Sequence, residues 1–304
     1  KPIAGSGERG FAGEPPCRST AGAAPEGRSR GNSSRAFGSL AGTWLSKRRI
    51  LPCLLPLLLF TCWNLVTSSG LAPEYLLPSP RTVWETVCAY MGAVSEGYAD
   101  AYAGRFWGDL SASLGRVGSG YLLAVIPGVA LGLASGRSPA LASLLSPIIN
   151  GVRAVPGISW LPLALLWLGI GFRATVFLIA LAGFFPAYLN AAAGAASVPP
   201  VLIRAGRMLG FGRRAIFFRV VIPSAMPQVR TGLRVALGMS FSYLVLGELT
   251  GVPDGLGAMI MDARLAGRVD LLVSGIILIA LVGWLCDVLL MRALSAVSVS
   301  LRRQ

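Results

Sequence analysis

Residues 201–238, VLIRAGRMLGFGRRAIFFRVVIPSAMPQVRTGLRVALG, decide how the rest of the chain is read. Residues 201–209 have helical spacing, with Val201, Ala205, Met208 and Leu209 on one side and Arg204 and Arg207 on the other. Gly210 supplies a position where a positive φ meets no Cβ penalty, so the chain turns there and enters a second helix with the apolar stripe Ile216, Phe217, Val220 and Val221. Pro223 and Pro227 are expected to limit that helix before the next apolar segment. A short amphipathic element bent at a glycine suits a groove in a partner protein. The same basic and aromatic pattern also serves a helix lying at lipid headgroups, and the pattern alone does not separate the two.

Outward from this element the chain turns apolar. Residues 50–69, ILPCLLPLLLFTCWNLVTSS, follow Lys47, Arg48 and Arg49 and are long enough, at ~1.5 Å per residue, to cross a ~30 Å hydrocarbon core. A signal peptide is the competing reading, and no small-x-small cleavage site supports it. Further spans are expected near 114–134, 141–170, 174–196, 231–249 and 271–291, which makes six. Residues 1–43 are rich in Gly, Ser, Ala, Pro and Arg without an apolar period, and are expected to be a disordered basic segment or partly mis-assigned sequence. The remaining division is a first membrane helix at 44–70, an external connection at 71–108, a membrane core at 109–296 holding the loop 200–223, and a tail at 297–304.

Composition agrees with a polytopic membrane protein. The 304 residues are 54% hydrophobic and 13% charged, with a mean hydropathy of +0.66, too little polar surface for a water-soluble globule. The absence of histidine removes His-dependent acid–base chemistry, Ser/His/Asp triads and zinc-protease motifs. Five cysteines, Cys17, Cys53, Cys62, Cys88 and Cys286, form no Cys-x-x-Cys pair, and neither a disulfide framework nor a metal cluster is expected. The net charge of +14 alternates between connections rather than forming one nucleic-acid-binding stripe. Residues 1–49 hold nine basic and three acidic side chains, whereas 71–109 hold Arg81 and Arg105 against Glu74, Glu85, Glu96, Asp100 and Asp109. Arg137, Arg204, Arg207, Arg213, Arg214, Arg219 and Arg230, then Arg292, Arg302 and Arg303, lie in connections without acids, while Asp254, Asp262 and Asp270 fall on the other side. The positive-inside rule therefore places both termini in the cytoplasm, and no nucleic-acid partner is expected.

Several motifs sit inside the spans. Pro127, Pro147, Pro156, Pro162 and Pro186 interrupt the expected helices, either as broken helices lining a pathway or as packing kinks. Gly128, Gly132 and Gly136 make a smooth groove where another backbone approaches closely, within the chain or in a second copy. No Gly-x-x-x-x-Gly-Lys-Ser/Thr occurs, and the only lysines are Lys1 and Lys47, so the chain is not a P-loop ATPase. Arg153, beside Pro156, is placed to attract an anion or to act as a gate bonded to carbonyls. Glu248 either lines the outer mouth or pairs with a basic residue, and Asn190 either lines the path or bonds between helices. Trp160, Trp167, Phe184, Phe185 and Tyr188 are candidate cavity walls.

The spacing Ala205-Gly206-x-x-x-Gly210, followed by Ile222-Pro223-x-Ala225-x-Pro227, resembles the signature loop of binding-protein-dependent ATP-binding-cassette permeases, the inner-membrane subunits of type I importers. The resemblance runs from about Leu77 to Leu294 through LPSPRTVWETV, SLGRVGSGYLLAVIPGVALGLASG, RAVPGISWLPLALLWLGIG, FFPAYLN, GLRVALG and GELTGVPDGLGAMIMDAR. Those segments look like the subfamily importing sulfonates, taurine, nitrate or bicarbonate. The resemblance implies an all-α fold of six transmembrane helices with a coupling helix, in a bacterial inner membrane. Arg204, Ala205, Gly206, Leu209, Gly210, Ile222, Pro223 and Pro227 would then form the ATPase-coupling loop, and Arg153, Pro156, Trp160, Tyr188, Asn190 and Glu248 the path. It also implies a separate ATPase carrying ATP and Mg²⁺, a periplasmic binding protein, a second permease subunit forming a homodimer, and no catalytic residue, metal or cofactor on this chain. One departure stands out: Arg204 occupies the place of the family's Glu, and a compensating acid is expected in the partner groove. An intramembrane lipid-modifying enzyme would need clustered acids or a nucleophile, which the sequence does not bring together. A passive channel or anchoring subunit would act without an ATPase.

Overall fold

The computed structural model describes residues 54–70, 73–92 and 102–302, with side chains described to 296. The chain forms two compact units, 1–58 and 59–304. Of the first only 54–58 are described, so residues 1–43 and their expected disorder lie outside the described residues. Every regular element among the described residues is helical: α1 Leu54–Ser68, α2 Pro80–Tyr90, α3 Phe106–Ser135, α4 Pro139–Ala154, α5 Leu161–Leu168, α6 Phe172–Ala196, α7 Pro200–Met208, α8 Arg213–Ile216, α9 Ile222–Glu248, α10 Leu256–Leu265 and α11 Val269–Arg302.

Three helices, α3, α6 and α11, are long and apolar enough to cross a membrane unbroken. At 27 residues α9 is also long enough, about 40 Å, but it carries Arg230, Arg234 and Glu248. The expected span at 141–170 is not one helix. It is α4 followed by a 3₁₀ turn, Gly157–Trp160, and α5, with a bend of 88° between the arms. The cause lies in three consecutive residues. Val155 is extended at φ −74, ψ 122, as a residue before proline prefers, and Pro156 brings no N–H to the helical ladder. At the third, Gly157, a Cβ would overlap the Tyr243 hydroxyl. By contrast Pro127, Pro147 and Pro186 lie inside continuous helices and Pro162 in the first turn of α5, so of the two roles open to the prolines only Pro156 takes that of a break.

The bundle is built on α6, which packs along α3 on one side and α9 on the other. The glycine stripe of α3 finds its partner within the chain. A Cβ at Gly128 would stand 3.1 Å from that of Ala187, one at Gly132 2.5 Å from the Tyr188 carbonyl, and one at Gly136 2.8 Å from Ala195. Small residues thus let two backbones approach where any larger side chain would separate them. On the α9 side, Gly194 meets Ala225 and Gly232 meets Asn190 in the same manner. One buried cluster joins α3, α6 and α9 to the 200–222 loop, through Leu133, Ala191, Ala195, Ile203, Ile216, Val221, Ala225 and Val229. Another joins α2, α3, α10 and α11 through Tyr90, Phe106, Leu256, Met259 and Leu271.

Two boundaries differ from the sequence reading. The α11 helix continues past 296 to Arg302, where a separate tail was expected, because no helix breaker occurs in SAVSVSLR. Pro223 and Pro227 do not end a helix either. α8 passes through a π-helical turn, Phe217–Val221, directly into α9, and Pro223 sits in the first turn of α9, where a missing N–H is tolerated, with Pro227 inside the helix.

Candidate functional site

Three groups of residues stand out: a cavity, an outward-facing helix and a buried charge network.

The cavity, about 370 Å³, lies between the α4–α5 elbow, α6 and α9. Arg153, Trp160, Phe185, Asn190, Met239 and Tyr243 are among its lining side chains, and among the described residues Arg153 is the single charged one. Arg153 is exposed in the last turn of α4, three residues before the break at Pro156, and has no ion-pair partner among the described residues. Asn190 lines the cavity and donates from Nδ2 to the Pro186 carbonyl at 2.9 Å. The structure therefore brings Arg153, Trp160, Asn190 and Phe185 together. Pro156 shapes the elbow without lining the space, and Trp167 is exposed on α5. Tyr188 is buried against α3, its ring stacked on Phe184 at 6.0 Å, and faces a different groove. Tyr243 is a polar cavity residue that sequence reasoning missed. Its signal lay in Val235, Met239 and Tyr243, spaced four apart on α9, but only the fold shows which face of α9 meets the elbow.

The outward-facing helix is α7. Ile203 and Gly206 anchor it to the bundle, Gly206 standing against Ile216. Val201, Leu202, Met208 and Leu209 are exposed, Met208 by 87%, alongside exposed Arg204, Ala205 and Arg207. Gly210 closes the helix at φ +78, as the sequence predicts. Arg219 lies over the Phe211 ring at 5.5 Å and steadies the turn between α7 and α8. Ile216 and Val221 are buried, so α8 and the π turn hold α7 on the end of the bundle that also carries Arg137 just past α3, Arg207 in α7 and Arg213 and Arg214 in α8.

At the opposite end, Glu248 is fully buried and away from the cavity. It accepts from Arg116 Nη1 at 2.7 Å, from Ser113 at 2.8 Å and from the Gly257 amide at 2.8 Å. Arg116 also donates to the Asp254 carbonyl at 2.9 Å and to its carboxylate. Asp109 accepts from the Gly255 amide at 3.0 Å and from Tyr90 at 2.7 Å. Burial and the hydrogen bond to Asp109 push the Tyr90 phenol well above its usual range. Gly255 is indispensable here: its φ is +114, and a Cβ would run into the Glu248 carboxylate. The loop Gly251–Gly255 is thus stapled to α3 by charge, and Glu248, expected on the path, does not line the cavity: of the two roles open to it the structure shows the pairing, with Arg116.

Residues 128–303 match the family model described as binding-protein-dependent transport system inner membrane component. The chain is 38% identical over 229 residues to the taurine transport system permease protein TauC of Escherichia coli K12, covering 75% of this chain and 82% of the relative. It is 32% identical to a putative aliphatic sulfonates transport permease protein SsuC of Bacillus subtilis 168, over 77% of this chain and 81% of that one. The bicarbonate transport system permease protein CmpB of a Synechocystis strain is 33% identical, with 85% and 92% covered. A solved inward-facing structure of the MetNI methionine ABC transporter superposes with a TM-score of 0.55 at 19% identity, over 67% of this chain and 99% of that one.

Proposed function

We propose that this chain, which belongs to the family of binding-protein-dependent transport system inner membrane components, forms the translocation path for a small anion in an ATP-driven importer. As a multi-pass permease it is a transport subunit and not itself an enzyme, and ATP hydrolysis belongs to a separate subunit. The observation that carries the anion reading is the cavity's charge: its one ionised lining residue is Arg153, beside neutral donors on Trp160 and Tyr243 and an otherwise apolar wall. A guanidinium with neutral donors favours sulfonate or bicarbonate oxygens, as in the substrates named for the relatives, and would serve nitrate by the same chemistry.

The exposed apolar and arginine face of α7 is the surface for the ATPase, which holds ATP and Mg²⁺, with no cofactor on this chain. The acidic end receives the periplasmic binding protein, and a second copy completes the path. With the arginine-rich end in the cytoplasm, both termini are cytoplasmic by the positive-inside rule. The test is transport in proteoliposomes with the cognate ATPase and binding protein, using taurine, butanesulfonate and nitrate as probes. Arg153→Ala is expected to raise the apparent KM about 10-fold or more, the loss of one charged hydrogen bond, and Arg153→Lys to restore part of it. Unchanged KM values for all three probes remove Arg153 from the path.

A further inference from the structure

We propose that Tyr243 on α9 and Gly157 in the α4–α5 elbow form a steric stop that closes the cavity, released when nucleotide drives the path open. The inference rests on the translocation reading and adds the moving part. The end of the Tyr243 ring lies directly on the Gly157 backbone, in the space a Cβ would occupy. The contact joins two segments that line the same cavity, and the Tyr243 hydroxyl has no hydrogen-bond partner among the described residues.

The two sides of the contact are held very differently. On α9, ten residues are buried, among them Val229, Leu233, Leu237 and Leu244. On α4 only Ile149 is buried within this chain, and none of the 3₁₀ residues Gly157–Trp160 is. An element with few buried contacts is the one that moves at low cost. The joint is suited to it: Pro156 has no N–H to re-form a helical bond, and Val155 is already extended. Arg153 is three residues from that joint, so an anion drawn to its guanidinium is bound on the mobile side while the Tyr243 hydroxyl approaches it from the fixed side. Tyr243 is therefore a positioning residue whose ring sets where the elbow stops.

The test uses the full chain in nanodiscs with its ATPase, in a cysteine-free background, with spin labels at Ile158→Cys and Ser242→Cys, both exposed and outside the cavity lining. The distance between labels is measured by pulsed electron resonance without nucleotide and after trapping with ATP and vanadate. The expected result is a lengthening by about 2 Å or more on trapping. Gly157→Ala, which places a methyl where the phenol sits, is expected to show the longer distance without nucleotide. Adding Tyr243→Ala to it is expected to restore the short distance and the nucleotide response. A merely space-filling contact would be damaged further by losing the ring as well. An unchanged distance in a complex that hydrolyses ATP overturns the stop and leaves the transport reading standing, as does a short distance in Gly157→Ala. A complex that neither retains the ATPase nor hydrolyses ATP overturns both.

Discussion

Arg116 on α3 and Glu248 at the end of α9, 132 positions apart, meet at 2.7 Å with side chains only 4% and 0% exposed. Ser113 and the Gly257 amide also donate to the carboxylate, so most of its hydrogen-bonding capacity is used, while Asp254 accepts from the other side of the Arg116 guanidinium. The Nε of Arg116 is the exception, buried without a partner among the described residues. A pair of this kind contributes little over a well-packed apolar substitute, but removing one member strands the other.

Arg116→Ala is accordingly expected to cost about 3 to 5 kcal/mol by leaving Glu248 buried and unpaired. Glu248→Gln, which keeps shape and most hydrogen bonds, is expected to cost less. Melting curves in detergent, read with a fluorogenic thiol reagent at half-buried Cys286, measure both. Equal losses for the two variants contradict the assignment.

The α3–α6 contact makes a contrast between two glycines on one helix. Gly132→Ala inserts a methyl 2.5 Å from the Tyr188 carbonyl, whereas a methyl at Gly118 meets nothing within 4 Å. The first is expected to destabilise by about 1 to 3 kcal/mol and the second to be neutral or slightly stabilising. Thermal unfolding of the two variants side by side decides it.

For α7, Met208→Asp changes an exposed residue and Ile203→Asp a buried one. Met208→Asp is expected to leave the melting temperature unchanged while abolishing co-purification of the ATPase, and Ile203→Asp to lower the melting temperature itself. Arg204→Glu places the family's acid where this chain has an arginine, and is expected to weaken association with the cognate ATPase in a salt-dependent way. Undiminished co-purification at low salt would rule out an acidic counterpart.

Arg234 and Asp287 form a bidentate pair between α9 and α11, with Nε to Oδ1 at 2.9 Å and Nη2 to Oδ2 at 2.8 Å. Within membrane-spanning segments an unpaired charge is costly. Arg234→Asp is expected to reduce the amount of protein recovered in the membrane fraction, and the double exchange Arg234→Asp with Asp287→Arg to restore it. Immunoblotting of membranes reads both. Failure of the exchange to rescue would show that position, not pairing, governs these charges.

What depends on neighbours along the chain was legible from residues alone. Apolar runs located the long helices α3, α6 and α11, though not the break in the segment at 141–170, the alternation of Arg-rich and acidic connections separated the two ends, and Gly210 marked a turn that takes a positive φ. The helix-breaking strength of each proline was not legible, because Pro127 in α3 and Pro186 in α6 sit in continuous helices packed along one another while Pro156 stands at the break between two elements. Tertiary structure alone decided that the glycines of α3 receive α6, that Glu248 is neutralised by Arg116, and that Tyr243 rests on Gly157. Each of these joins helices far apart in the chain. A periodicity of 3.6 residues tells which side chains share a face, but which face meets which is chosen by close packing of all the helices together.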